Sequence, residues 1–100
     1  MNQAGRTLAE LKDAIIQVLL KNARQKGRYA YIRGFEIGKE IGTYRRHAPS
    51  VGDRFGRAHR KLLDKLQEEN RAEPRWNESG KVRTGWRLTD AEWDRLTRDE

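Results

Sequence analysis

The stretch RWNESGKVRTGWRLTDAEW, residues 75–93, places Trp76 and Trp86 on either side of a glycine-containing turn and closes on Trp93. The three residues Glu78, Ser79 and Gly80 suit a hairpin connection whose last position is left-handed, the geometry that glycine reaches without steric cost. Pairing Asn77 with Lys81 sets Trp76 opposite Val82, Pro74 opposite Thr84 and Ala72 opposite Trp86. Side chains alternate along a strand. One face of the ribbon then carries Ala72, Pro74, Trp76, Val82, Thr84, Trp86 and Leu88, and the other carries Arg71, Glu73, Arg75, Asn77, Lys81, Arg83 and Arg87. A lone two-stranded ribbon is marginal in water. Its tryptophan face must therefore rest on helices, which makes Trp76 and Trp86 structural residues.

Those helices are readable on both sides of the ribbon. Thr7 and Glu10 have the T-x-x-E spacing of a capping box and open a helix over residues 8–24, along which Leu8, Leu11, Ile15, Val18 and Leu19 share one face. Residues 28–33, RYAYIR, are aromatic and β-branched and fit a short strand or extended segment. Residues 34–42 give a short helix with Phe35, Ile37 and Ile41 inward and Gly42 as its stop. A stronger helix covers residues 50–69. Ser50 stands at its N-cap, Val51, Phe55, Ala58, Leu62 and Leu66 form its apolar stripe, and Arg54, Arg57, Arg60 and Lys61 fall on the far side. After the hairpin over 71–88, Thr89 and Glu92 repeat the capping box and start a helix over 90–97. The expected fold is a single domain, mainly α with a small β-hairpin.

One hundred residues build one small domain with a modest core, which directs function to the surface. The net charge is +7, and it is segregated. From Arg24 to Lys61 eleven bases meet three acids, whereas from Thr89 to Glu100 two bases meet five acids. Clustering of this kind points to a polyanion partner. Without cysteine there is no disulfide framework or thiolate metal site. His47 and His59 lack any metal-ligand spacing, and no phosphate-binding glycine loop occurs. No catalytic residues, metal or cofactor are therefore expected, and no polar cluster marks an effector pocket. No apolar run reaches bilayer-spanning length, and the start of the chain reads as a capped helix rather than a leader, so the expected location is the cytoplasm.

The order of helix, extended segment, helix, helix, ribbon and helix resembles a winged helix-turn-helix domain. GWRLTDAEWDRL (85–96) resembles the wing exit of small bacterial and archaeal transcriptional regulators of the MarR and PadR kind. FEIGKEIG (35–42) is similar to their second helix, and LLDKLQEENRAEPRW (62–76) to their passage from recognition helix into wing. The resemblance implies sequence-selective binding of double-stranded DNA by a homodimer associated with the nucleoid. In that motif the third helix enters the major groove and the wing lies along the neighbouring backbone. Arg54 and Arg57 would then read base edges, arginine being able to pair bidentately with guanine. Ser50, Arg45, Arg46, Arg60 and Lys61 would hold phosphates, while Lys81 and Arg83 at the wing would reach the backbone or the minor groove. The wide apolar stripe of the first helix, together with Trp93 and Leu96, provides the expected dimer surface. Two other readings fit the same composition: a winged-helix module that assembles with an acidic protein, and an RNA- or ribosome-binding protein.

Overall fold

The computed structural model describes residues 7–42 and 57–98, with side chains from residue 60 onward in the second stretch. Among the described residues it is a small α+β fold of four helices and a two-stranded antiparallel hairpin: α1 (Leu8–Lys26), α2 (Gly34–Ile41), α3 (described over Arg57–Glu68), β1 (Ala72–Trp76), β2 (Arg83–Leu88) and α4 (Asp90–Thr97). No helix among them is long and apolar enough to cross a membrane.

The helix ends follow from local chemistry. Thr7 caps α1, its hydroxyl accepting the Glu10 N–H at 3.1 Å, and α1 ends at Gly27. Two residues past the helix end, Asn70 adopts a left-handed φ of 56°, and the Arg71 N–H returns to the Leu66 carbonyl at 2.9 Å. That return bond satisfies a carbonyl left over at the end of α3 and turns the chain into β1.

Leu11, Ile15, Ile16 and Leu19 of α1, Ile37 and Ile41 of α2, Leu62, Leu63 and Leu66 of α3, and Ala72, Trp86 and Leu88 of the hairpin close on one another as a single core. Trp93 and Leu96 of α4 pack partly buried against its edge. The apolar stripe of α1 is thus largely covered within one chain, and Leu8 at its start remains exposed.

The segment between α1 and α2 joins the sheet at one residue. Ile32 exchanges both backbone hydrogen bonds with Trp86, at 2.9 and 2.8 Å, in an antiparallel bridge on the edge of β2 away from β1. The close approach of this segment requires Gly85. A Cβ there would lie 2.9 Å from the Cβ of Tyr31, inside any real contact distance.

The hairpin register departs from the one expected, and two single-residue shifts account for it. The turn closes between Asn77 and Val82 rather than between Asn77 and Lys81, because the Asn77 Oδ1 accepts both the Lys81 and the Val82 N–H while its own N–H donates to the Val82 carbonyl. Thr84 is then an extra residue, since Arg75 pairs with Gly85 and Trp76 with Arg83. Each shift alone reverses the face of every later side chain, and two restore it. Below the bulge, Ala72, Trp86 and Leu88 are therefore buried as expected, although Ala72 faces Leu88 and Pro74 faces Trp86. At the tip the alternation fails. Arg83 joins the Trp86 side, Val82 is 56% exposed, and Trp76, which the sequence placed in the core, is 47% exposed. Trp86 is the structural tryptophan of the ribbon, at 3% exposure.

Candidate nucleic-acid interface

Ion pairing sorts the many cations. The acids of α4, which look like a separate negative patch in the sequence, are used to dock that helix. Arg28 reaches Asp90 at 3.1 Å and Asp94 at 3.5 Å, and its guanidinium lies over the rings of Tyr29 and Trp93. Glu92, 3% exposed, accepts from Arg71 and Arg95, each at 2.6 Å. Burial alone would raise the Glu92 pKa. The hydrogen bonds from Arg95 and Arg71 outweigh it and hold the carboxyl below its ordinary 4.5. Thr89 caps α4 by accepting the Glu92 N–H, as its T-x-x-E spacing implies, but the Glu92 carboxylate goes to the two arginines instead of completing the box. Elsewhere Lys12 binds Glu69 at 2.6 Å, and Arg87 binds Glu73 at 2.9 Å across the strands.

None of the ion pairs among the described residues involves Arg33, Arg60, Lys61, Arg75 or Lys81. Four of these five lie around one side of the molecule. A groove of about 470 Å³ runs between the start of α2, α3 and the hairpin, lined by Arg33, Phe35, Arg60, Lys81, Arg83 and Trp86 among others. Next to it, and sharing Arg33 and Thr84 with it, lies a second pocket of about 470 Å³ that includes Arg75 and Trp76. Cations drawn from three elements thus converge on a continuous concave surface, with aromatic side chains between them. Such a surface is suited to phosphates, since unpaired guanidinium and ammonium groups gain most from an anion that arrives from solution.

The candidate residues divide as follows. Arg45, Arg46, Ser50 and Arg54 lie outside the described residues. Arg57 belongs to α3, and its side chain is likewise outside them. Arg60 and Lys81 come together at the groove. Lys61, beside Arg60 on α3, is exposed. Arg83 also lines the groove, but its guanidinium is held by Asp64 and by Gln67 at 3.0 Å and sits over the indole of Trp86 at 4.8 Å. Its charge is largely neutralised there, and its position ties hairpin to α3. Two residues of this surface had escaped sequence reasoning. Arg33 is separated in sequence from both α3 and the hairpin, and the neighbouring Ile32 bridge helps bring it beside them. Arg75 was placed on the outer ribbon face, with nothing to distinguish it from the paired Arg87.

Comparison with protein-family models, with curated proteins and with solved structures found no match to the chain.

Proposed function

We propose that the chain is a winged helix-turn-helix protein that binds double-stranded DNA in transcriptional regulation, acting as a homodimer at the nucleoid in the cytoplasm. The observation that carries this reading is the groove at which Arg33, Arg60 and Lys81 meet, none of them with a side-chain ion pair to a described residue. The element order supports it, as does the Ile32 bridge, which ties the extended segment before α2 to the hairpin at one residue. In this reading α3 enters the major groove, with Arg54 and Arg57 at base edges. Arg60, Lys61 and Arg33 hold flanking phosphates, Lys81 reaches the backbone from the hairpin tip, and Arg83 braces the wing against α3. Ser50, Arg45 and Arg46 complete the phosphate contacts. The dimer follows from the two-fold symmetry of the sites such proteins read, because little of the α1 stripe is left to bury.

The test is the affinity of the full chain for a mixed-sequence duplex across a salt series. Each neutralised phosphate adds about −0.9 to the slope of log K against log salt, so a steep negative slope is expected. Affinity unchanged between low and moderate salt overturns the reading. Sedimentation with and without duplex tests the dimer, and a monomer in both overturns that part.

A further inference from the structure

The pocket beside the groove has a composition that duplex binding does not explain. Tyr31, Arg33, Arg75, Trp76, Glu78 and Gly85 line it, and neither arginine makes an ion pair with a described residue. Its size, about 470 Å³, is that of a small-ligand site. Trp76 is nearly half exposed, and Arg75 sits over the ring of Tyr31 at 5.9 Å. The hairpin bulge at Thr84 accompanies this exposure, and Gly85 lets Tyr31 pack closely against the strand in the same lining.

A half-exposed indole gives a duplex nothing, because paired bases are already stacked on one another. Phosphates alone call for arginines without a tryptophan. An exposed indole beside two arginines fits a ligand that has a flat face and a phosphate together, which is the chemistry of an unpaired nucleotide. We infer that this pocket binds an unpaired nucleotide of a DNA strand, its base stacked on Trp76 and its phosphate held by Arg75 and Arg33. Because Arg33 lines the groove as well, a strand leaving the groove passes into the pocket, and Glu78 is the one acid among the described residues that line the two. The inference rests on the reading of this side as a nucleic-acid interface, but it does not need the duplex.

The experiment compares three fluorescently labelled probes on the full chain at one salt concentration. These are an oligothymidylate of about twelve nucleotides, an abasic phosphodiester chain of equal length, and a mixed-sequence duplex. The oligothymidylate is expected to bind about tenfold more tightly than the abasic chain, since the two differ only in the bases. Trp76→Ala is expected to remove that difference while leaving the abasic affinity and the thermal midpoint close to those of the parent chain, and Trp76→Phe to retain part of it. Arg75→Ala is expected to weaken both single strands alike. Equal binding of the two single strands by the parent chain overturns the inference, and so does a Trp76→Ala protein that keeps the preference. A chain that binds the oligothymidylate but ignores the duplex sustains the pocket and overturns the duplex reading, so the two fail separately.

Discussion

The guanidinium of Arg83 sits over the indole of Trp86, 4.8 Å from the ring centroid, and from there reaches Asp64 and Gln67 on α3. One side chain therefore links the core tryptophan, the hairpin and the third helix. Arg83→Ala is expected to lower stability by about 1 to 2 kcal/mol, combining a partly desolvated cation–π contact with a partly exposed ion pair. Arg83→Lys should recover little of it, because an ammonium cannot keep the planar stack while donating to both partners. Denaturant midpoints of the three proteins check this. Equal stability of parent and Ala variant would show that the hairpin needs no such brace.

Gly85 and Trp86 stand on opposite sides of the same strand and should fail for different reasons. Trp86→Ala opens a cavity in the core and is expected to cost about 3 to 5 kcal/mol. Gly85→Ala forces its new methyl onto the Cβ of Tyr31, which has no flexible end to give way, and is expected to cost about 1 to 3 kcal/mol by overpacking. Combining Gly85→Ala with Tyr31→Gly should return part of the loss. Thermal unfolding of the single and double variants decides it, and full additivity would show that the two residues do not collide.

How much of this was open to sequence reasoning depended on whether a local rule decided the outcome. The caps at Thr7 and Thr89, the stop at Gly42, the apolar stripe of α1 and the inward Leu62 and Leu66 of α3 are set by spacings within one or two turns, and they were legible, although α1 runs two residues past its expected end, to Lys26. The hairpin was legible as an element but its tip was not. The Asn77 side chain lengthens the turn by one residue and Thr84 adds another, and two compensating shifts leave the hydrophobic pattern below the bulge unchanged, so the pattern carries no trace of them. The exposure of Trp76 and the inward turn of Arg83 both come from that hidden pair. Arg33 was missed for a different reason: its place at the groove is a long-range one, which the neighbouring Ile32 bridge helps to set. The acids of α4 showed in the sequence only as a local excess of negative charge, because the partners of Asp90 and Glu92, Arg28 and Arg71, are 62 and 21 residues away in sequence.

Glu92 makes stability depend on acid. Its folded pKa lies below its ordinary 4.5, as does that of Glu69, where the hydrogen bond from Lys12 is the largest cause. A carboxylate depressed on folding contributes stability that is fully present above the unfolded pKa and is lost as pH falls through the folded one. Stability should therefore be flat from neutral pH to about 5 and then fall as pH drops below 4.5. Glu92→Gln is expected to flatten part of that acid limb and to cost about 2 kcal/mol at neutral pH, through lost hydrogen bonds to charged partners. Urea midpoints at a series of pH values measure both, and an unchanged acid limb in the variant would remove Glu92 as a cause.

Reading and holding of the duplex fall to different residues. In the proposed complex Arg57 belongs to the helix that meets base edges, whereas Lys81 is an exposed cation at the hairpin tip, where only backbone is within reach. The two should therefore fail differently. Arg57→Ala is expected to cost about 1 to 3 kcal/mol on the preferred duplex, to cost less on duplexes altered at one base position, and so to relax the preference at that position. Lys81→Ala should weaken every duplex by nearly the same factor and make the salt slope shallower by about one. Arg60→Ala, at the same groove but on α3, is expected to follow Lys81 rather than Arg57, which tests whether the groove acts as one phosphate-holding surface. Affinities for a matched duplex and a set of single-mismatch duplexes at two salt concentrations measure all three variants together. If Arg57→Ala and Lys81→Ala behave alike on every duplex, α3 is not the reading element, and the interface lies elsewhere on the cationic side of the molecule.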